Sequence, residues 1–385
     1  MPINSDFGEG QMDVIVKAPG DLTRAQKDAW AAIRAANPAL YSPYFHIEYS
    51  EAVAKARGDI NVLILMRAGK PAAFLPLQGK GFARPAGAPF TDYHGVIAPE
   101  DLDFDIAAML KAGDIGALHF DAWVEPKAKA QTGEDMHCAV IDVSAGGPAW
   151  REGKGGSYRR HLKGLRRRIK KSSEFGAPRM EFKSRDSAAF EQLIAWKRAQ
   201  YLRTGKYDVL GANWTRGVLK DLFESQSELR ADMHVLYFGD KIAAIDLGLT
   251  DGEVYHSWIT AYDPDYRNVS PGMQLFERLI DEASPLGYQT IDLGAGLDGY
   301  KHHYADAHMG GAIRSGFIAA RGPAAALSRL YGAAESFGEK KKLGGLGPLP
   351  GKIRRRYSQI AACDDSFSGR AKAMLSAVKG APKAP

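Results

Sequence analysis

Between Asp263 and Lys301 the chain carries residues suited to holding an anion beside a reactive group. Arg267-Asn268-Val269-Ser270-Pro271-Gly272 separates an apolar run ending at Tyr262 from a periodic one beginning at Met273. Met273, Leu275, Phe276, Leu279, Ile280 and Ala283 recur at three-and-four spacing, which predicts a helix with one apolar face. Ser270 suits the N-cap of that helix, and Pro271 its first position, where a missing N–H is no loss. An arginine and a glycine at a strand-to-helix junction make a place where backbone N–H groups can receive a phosphate. An ordinary Ser-Pro helix cap explains the same residues without a ligand.

Proton-moving groups stand nearby in the sequence. On the strand expected over Ile242–Thr250, residues Ala243, Ile245, Leu247 and Leu249 share one face. Asp246 falls on the other, between Ala244 and Gly248, whose small side chains leave room for a ligand. It is a candidate general base; a hydrogen-bonded or solvent-facing strand aspartate is the equal alternative. His256 on the next strand is a second candidate, although a lone strand histidine is more often structural. His302, His303 and His308 invite a metal reading, but no carboxylate or cysteine completes a zinc spacing, so no metal is expected.

The elements that must position these residues follow from turn signals. Gly239-Asp240 and Asp251-Gly252 join the apolar runs His234–Phe238, Ile242–Thr250 and Val254–Tyr262 into an antiparallel meander. Asp186 caps a helix reaching about Arg203, a second helix is expected over Trp214–Leu229, and Gln289–Leu293 reads as a strand. Upstream, a strand over Asp13–Lys17 and two helices precede a hairpin, Asn61–Arg67 with Ala72–Leu77. A strand near Ile97, a helix over Phe104–Lys111, and strands Leu118–Val124 and His137–Val143 complete that half. The halves thus repeat an order of elements without visible sequence identity. At the place matching the Arg-x-x-Ser-Pro-Gly loop the first half reads Ala98-Pro99-Glu100-Asp101, acidic and glycine-free. An anionic ligand is expected in the second half alone.

A chain of 385 residues has room for two domains, and its 45% apolar and 25% charged residues are ordinary for globular protein. Two cysteines, Cys138 and Cys363, make no disulfide framework and suit a reducing compartment. The N-terminus has no signal-peptide pattern and no apolar run approaches a membrane span, so a cytoplasmic location is expected. The net charge of +6 is concentrated: residues 151–185 hold 13 Lys and Arg against 3 Asp and Glu. Such a block suits acidic acceptors, the adenosine phosphate of a nucleotide or RNA, or is simply a solvated helix face. Aromatic residues are too sparse within it for a base-stacking platform. Four segments are expected: a flexible terminus over 1–12, units over 13–150 and 151–320, and a basic, partly helical or disordered tail over 321–385.

The meander, the Arg267-x-x-Ser270-x-Gly272 loop and the strand after its helix resemble the second half of the GNAT acyltransferase fold. The usual loop there is Arg/Gln-x-x-Gly-x-Gly/Ala; Ser270 replaces the first glycine and keeps an N–H to donate. A longer string is more specific: Ala261-Tyr262-Asp263-Pro264, Ser270-Pro271-Gly272, Asp292-Leu293-Gly294-Ala295-Gly296 and Tyr300-Lys301. With Pro43-Tyr44-Phe45 and Asp92-Tyr93-His94-Gly95, it resembles CelD-type proteins of cellulose and exopolysaccharide biosynthesis. That branch is similar to the Fem-type aminoacyltransferases. The resemblance covers about residues 13–320.

It implies an α/β (α+β) tandem GNAT-like fold: two mixed, largely antiparallel sheets flanked by helices. It also implies acyl transfer from acetyl-CoA or another acyl-CoA to an amine or hydroxyl on a sugar-type acceptor, in association with a polysaccharide synthesis system. Arg267, Asn268, Val269, Ser270 and Gly272 would hold the CoA pyrophosphate. Tyr300 would be the acid for the leaving thiolate, and Lys301 would neutralise an oxyanion or an acceptor phosphate. Asp92, Tyr93 and His94 would line an acceptor groove between the halves, a turn role being the alternative. Two other functions remain open: a Fem-type transferase drawing its aminoacyl group from tRNA, and a non-catalytic binding protein on the same fold.

Overall fold

The computed structural model describes residues 12–124, 135–306, 309, 311–340 and 349–364. It divides into two units, one running to Met136 and resuming at Ala312, the other spanning His137–Gly311. In the first unit come β1 (Met12–Lys17), α1 (Arg24–Ala36), α2 (Ile47–Arg57), β2 (Ile60–Arg67), β3 (Lys70–Gln78), β4 (Phe82–Pro85), α3 (Ile106–Ala112) and β5 (Ala117–Trp123). The second holds β6 (Asp135–Asp142), α4 (Gly147–Gly153), α5 (Gly156–Ser172), β7 (Pro178–Ser184), α6 (Ser187–Arg203), α7 (Asn213–Glu224), β8 (Arg230–Phe238), β9 (Lys241–Thr250), β10 (Val254–Tyr262), α8 (Pro271–Glu282), β11 (Thr290–Ala295) and α9 (Lys301–Tyr304). The chain then returns to the first unit as β12 (Ala312–Ala319), α10 (Gly322–Lys340) and α11 (Leu349–Cys363).

Both sheets obey one pairing rule. In the first, β1, β2, β3 and β4 pair antiparallel in succession, β4 runs parallel to β5, and β5 pairs antiparallel with β12. In the second, β7, β8, β9 and β10 are antiparallel neighbours, β10 runs parallel to β11, and β11 pairs antiparallel with β6. The sixth strand of each sheet comes from the opposite part of the chain. This is a tandem mixed α/β fold with exchanged edge strands, and it moves two boundaries expected from sequence. His137 onward joins the second unit because β6 pairs with β11, and Ala312–Ala319 joins the first because β12 pairs with β5. Within the segment after 320, α10 packs on β12 and β5. The expectations for 1–11 and 365–385 lie outside the described residues.

Apolar alternation builds each core. Leu63, Leu65, Leu75, Leu118 and Phe120 meet Met109 and Leu110 of α3 in the first unit. Ile141, Tyr255, Phe276, Leu279, Ile280 and Ile291 meet in the second. There α6 and α7 pack on β10 and β8, while α8 packs on β8 and β9. The expected helix over 214–229 ends at Glu224, because the chain straightens into β8 from Arg230.

Candidate functional site

The parallel pair β10 and β11 opens at its C-terminal end. Val254, Tyr255 and His256 register with Thr290, Ile291 and Asp292, and there the pairing stops, although β10 continues to Tyr262 and β11 to Ala295. The main chain beyond His256 and Asp292 is thus free of ladder bonds between these two strands. Its N–H and C=O groups can take an extended, amide-bearing ligand as an added strand. Helix α8 begins beside this opening: a Cβ built on Gly272 would lie 3.9 Å from both Thr260 Cγ2 and Tyr262 Cδ1. A side chain there would occupy the mouth of the opening.

The loop preceding α8 is a 3-10 turn, Pro264–Val269, ending on Ser270 at φ 53°, ψ 59°. Ser270 occupies the N-cap position as expected, but its side chain makes no capping bond. The left-handed backbone turns Oγ away from the first helical turn, where an N-cap residue needs extended geometry. Left-handed backbone is also why glycine is at ease at this position. Oγ instead accepts from Arg168 on α5, at 3.3 Å. Gln274, 1% exposed, donates to the Val269 carbonyl at 2.9 Å and accepts from Ser172 of α5 at 3.2 Å. Arg267 and Asn268 lie exposed on the turn.

Arg168 and Gln274 were not anticipated. Their link to the loop depends on α5 packing against it, a contact between segments about a hundred residues apart. Glu277 of α8 fastens the same assembly by accepting from Tyr158, Tyr304 and Arg151. Two arginines therefore gather at the positive end of a helix dipole, where cations are locally unfavourable and an anion is welcome.

On the face of β9 and β10 turned toward this helix start, three hydroxyls converge on Asp246, which is 2% exposed. Tyr255 Oη donates at 2.7 Å and Ser257 Oγ at 2.9 Å, and Thr260 Oγ1 donates to the same oxygen as Ser257. Strict alternation would set residues 257 and 260 on opposite faces. A register shift between Ser257 and Ile259 inserts one residue and brings both inward. Gly248 makes room for Tyr255: a Cβ there would sit 2.2 Å from the ring's Cζ. Burial raises the Asp246 carboxyl above the usual carboxylate range, against the hydrogen bonds from Thr260, Tyr255 and Ser257.

Tyr300, 37% exposed, follows β11 and packs its ring against Phe276 of α8, centroids 6.2 Å apart. Its hydroxyl is pushed up to about 12, by desolvation and then by the Asp246 charge. Lys301 Nζ donates to the Ala295 carbonyl at 3.1 Å, tying α9 to the end of β11 and closing the Gly296–Tyr300 loop. That bond uses one of the three donors of the ammonium. His256 leaves the candidate set. It is one residue from Tyr255, hence on the opposite face of β10, fully enclosed, with Nδ1 3.6 Å from Asp292 Oδ1.

Asp92, Tyr93 and His94 belong to the first unit. Tyr93 packs edge-on against Tyr44, with ring centroids 6.3 Å apart, and His94 hydrogen-bonds through its backbone to Ala122 and Val124. Both are buried, at 2% and 4% exposure, and Asp92 is half-buried beside them. Burial lowers the His94 imidazole to about 4. Among the described residues of the first unit, the helix start corresponding to that of α8 differs from it. There α3 begins on Asp105, whose own carboxylate caps the Ala107 N–H at 2.8 Å. The rings of His302 and His303 meet at a tilt, as do those of His303 and His161; His308 lies outside the described residues. Among the described residues no three His, Cys, Asp or Glu side chains are grouped to hold a metal.

Residues 159–302 match the family model described as "Acetyltransferase (GNAT) domain". The second unit carries a GNAT-fold acetyltransferase domain. The protein is accordingly an acyltransferase, and the matched segment runs from α5 through the meander, the α8 loop and α9. No curated protein sequence matches the chain. Among solved structures, that of FemX is similar at 10% identity, covering 77% of this chain and 96% of that one with a TM-score of 0.51. The C-terminal (DUF2156) domain of a putative lysylphosphatidylglycerol synthetase from Agrobacterium fabrum aligns at 14% identity over 73% and 90%, TM-score 0.47. A tandem GNAT protein from the clavulanic acid biosynthesis pathway aligns at 9% over 81% and 99%, TM-score 0.46. These likenesses concern the fold alone.

Proposed function

We propose that the protein transfers an acyl group, acetyl in the simplest case, from CoA to an amine or hydroxyl on a sugar-type or related acceptor. The setting proposed is cytoplasmic polysaccharide or envelope synthesis, in keeping with the CelD-type resemblance of the Tyr262–Lys301 string. The observation that carries the donor half is the opening between β10 and β11 beside the start of α8, with Arg267 and Arg168 at its cationic end. The pyrophosphate would meet the loop from Arg267 to Gly272, and the pantetheine amides the unladdered edges of β10 and β11.

Chemistry would occur where Asp246, Ser257, Thr260 and Tyr300 gather. The acceptor nitrogen or oxygen attacks the thioester carbonyl carbon. Its proton passes through the half-buried hydroxyl of Ser257 or Thr260 to the Asp246 carboxylate behind them. When the carbon–sulfur bond breaks, the thiolate takes the phenolic proton of Tyr300, which stays protonated well above neutral pH. Free CoA and the acylated acceptor leave.

A second reading, aminoacyl transfer from tRNA, is favoured by α5. Arg159, Arg160, Lys163, Arg166, Arg167, Arg168, Lys170 and Lys171 are all exposed on it, and its sequence holds no Asp or Glu. Such a stripe tracks a phosphate backbone. Thiol release from acetyl-CoA in the presence of amino sugars and glycans separates the readings. Acceptor-dependent release supports the CoA reading. Absence of release with tight, salt-sensitive tRNA binding replaces it with the second, and CoA binding without release for any acceptor leaves a binding protein.

A further inference from the structure

Helices α10 and α11 enclose, with β4 and β5, a second cavity within the first unit. It measures about 490 Å³, a size usual for small-molecule sites, and its walls include Phe82, His119, Leu327, Tyr331, Ile353 and Tyr357. Its polar lining includes Arg84 and a hydrogen bond between His119 Nε2 and Ser328 Oγ at 2.9 Å. Around it the helices leave large apolar side chains in solvent. Phe82, Leu327, Leu330, Phe337, Ile353 and Tyr357 are each between 44% and 69% exposed. Leu327 and Leu330 are three apart, and Ile353 and Tyr357 four apart, so each pair lies on one helix face. Five such residues on α10 and α11, with Phe82 of β4, exceed the scattered apolar exposure normal for a soluble surface.

Charge identifies what covers this face. The α11 sequence, LPGKIRRRYSQIAAC, interleaves Lys352, Arg354, Arg355 and Arg356 with its apolar residues and holds no acid. Apolar side chains among basic ones on a helix match an anionic bilayer, whose phosphates meet the cations while its acyl region takes the hydrophobic groups. Among the described residues no helix is long and apolar enough to cross a membrane, so contact made here is peripheral. We propose that the α10–α11 face docks on an anionic phospholipid surface, with one lipid chain seated in the 490 Å³ cavity. The proposal does not rest on the donor reading, which concerns the second unit.

Flotation of the full chain with extruded vesicles tests it. Vesicles mixing phosphatidylglycerol into phosphatidylcholine should retain about tenfold more protein than phosphatidylcholine alone, and high salt should reduce the difference. Leu330→Glu and Ile353→Glu should lower retention to the level of neutral vesicles while leaving the melting temperature and acetyl-CoA binding unchanged. Equal retention on neutral and anionic vesicles, or full retention by both variants, would overturn the proposal. So would uptake of a soluble fatty acid without vesicle association, which would make the cavity a site for a free ligand. A monomer–dimer shift abolished by the same variants, again without vesicle association, would assign the face to a second copy of the chain and overturn it as well.

Discussion

Replacing Asp246 by Asn tests the catalytic centre at its most constrained point. Three hydroxyls, from Tyr255, Ser257 and Thr260, donate to the two oxygens of a carboxylate that is 2% exposed. Asparagine keeps the shape but offers one accepting oxygen and one NH2 group, which is itself a donor. At least one hydroxyl must then turn away from its partner, at a stability loss of about 1–3 kcal/mol. The variant should fold, because hydroxyl rotors can re-aim. Its kcat should fall by roughly 10²–10⁴, or about 3–5 kcal/mol in barrier, since no group in that position can take the acceptor's proton. KM for acetyl-CoA should hardly move, as the phosphate loop is untouched. The wild-type profile supplies the sign: burial raises the Asp246 pKa, the base works when ionised, and kcat should therefore climb with pH through that raised value. In Asp246→Asn the acid limb should disappear. Thiol release followed from acid to neutral pH measures both quantities, and a variant that keeps wild-type kcat together with its acid limb would refute the assignment.

Three other outcomes follow from the same geometry. Gly248→Ala should displace Tyr255 from Asp246, since the new Cβ would lie 2.2 Å from the ring, lowering stability by roughly 1–3 kcal/mol and reducing turnover; calorimetric melting and thiol release read the pair. Ser270→Gly should hold stability within about 1 kcal/mol, because relief of left-handed strain offsets the entropy of glycine, whereas Ser270→Val should lower both stability and donor affinity. Burial lowers His94 to about 4 and His234 to about 3, so between pH 6.5 and those values the unfolded chain binds protons that the folded chain does not. Stability should be full above pH 6.5 and decline on acidification, by about 2 kcal/mol for each histidine at pH 5. Denaturant titrations at pH 7 and pH 5 check the slope, which should become shallower in His234→Gln.

The features legible in the sequence were those written in local pattern. Gly239-Asp240 and Asp251-Gly252 announced the meander, Asp186 capped α6 where expected, and the spacing from Met273 to Ala283 gave α8. Strand β7 escaped notice because it is an edge strand whose side chains are mostly half-buried, so Pro178–Ser184 never shows clean alternation. The exchange of β6 and β12 was invisible for a different reason: pairing between strands over a hundred residues apart leaves no trace in either segment's pattern. Within the candidate site, the small neighbours Ala244 and Gly248 make Asp246 stand out in the sequence. Ser257 and Thr260 were missed because only the bulge after Ser257 puts both on its face, and His256 was proposed because no partner yet fixed which face of β10 mattered. Ser270 sits at the N-cap as expected, but its φ of 53° leaves its side chain without a capping bond. The bond from Lys301 to the Ala295 carbonyl joins α9 to β11 and has no signal in the local sequence.

The central claim is that one thioester donor binds per chain, at the α8 loop of the second unit, because the corresponding helix start in the first unit is capped by Asp105. Isothermal titration calorimetry with acetyl-CoA tests it directly. One site per chain is expected, weakened roughly tenfold in Arg267→Ala and in Arg168→Ala, each of which removes one charge-assisted contact. No heat at millimolar acetyl-CoA, two sites per chain, or one site indifferent to both substitutions would contradict it.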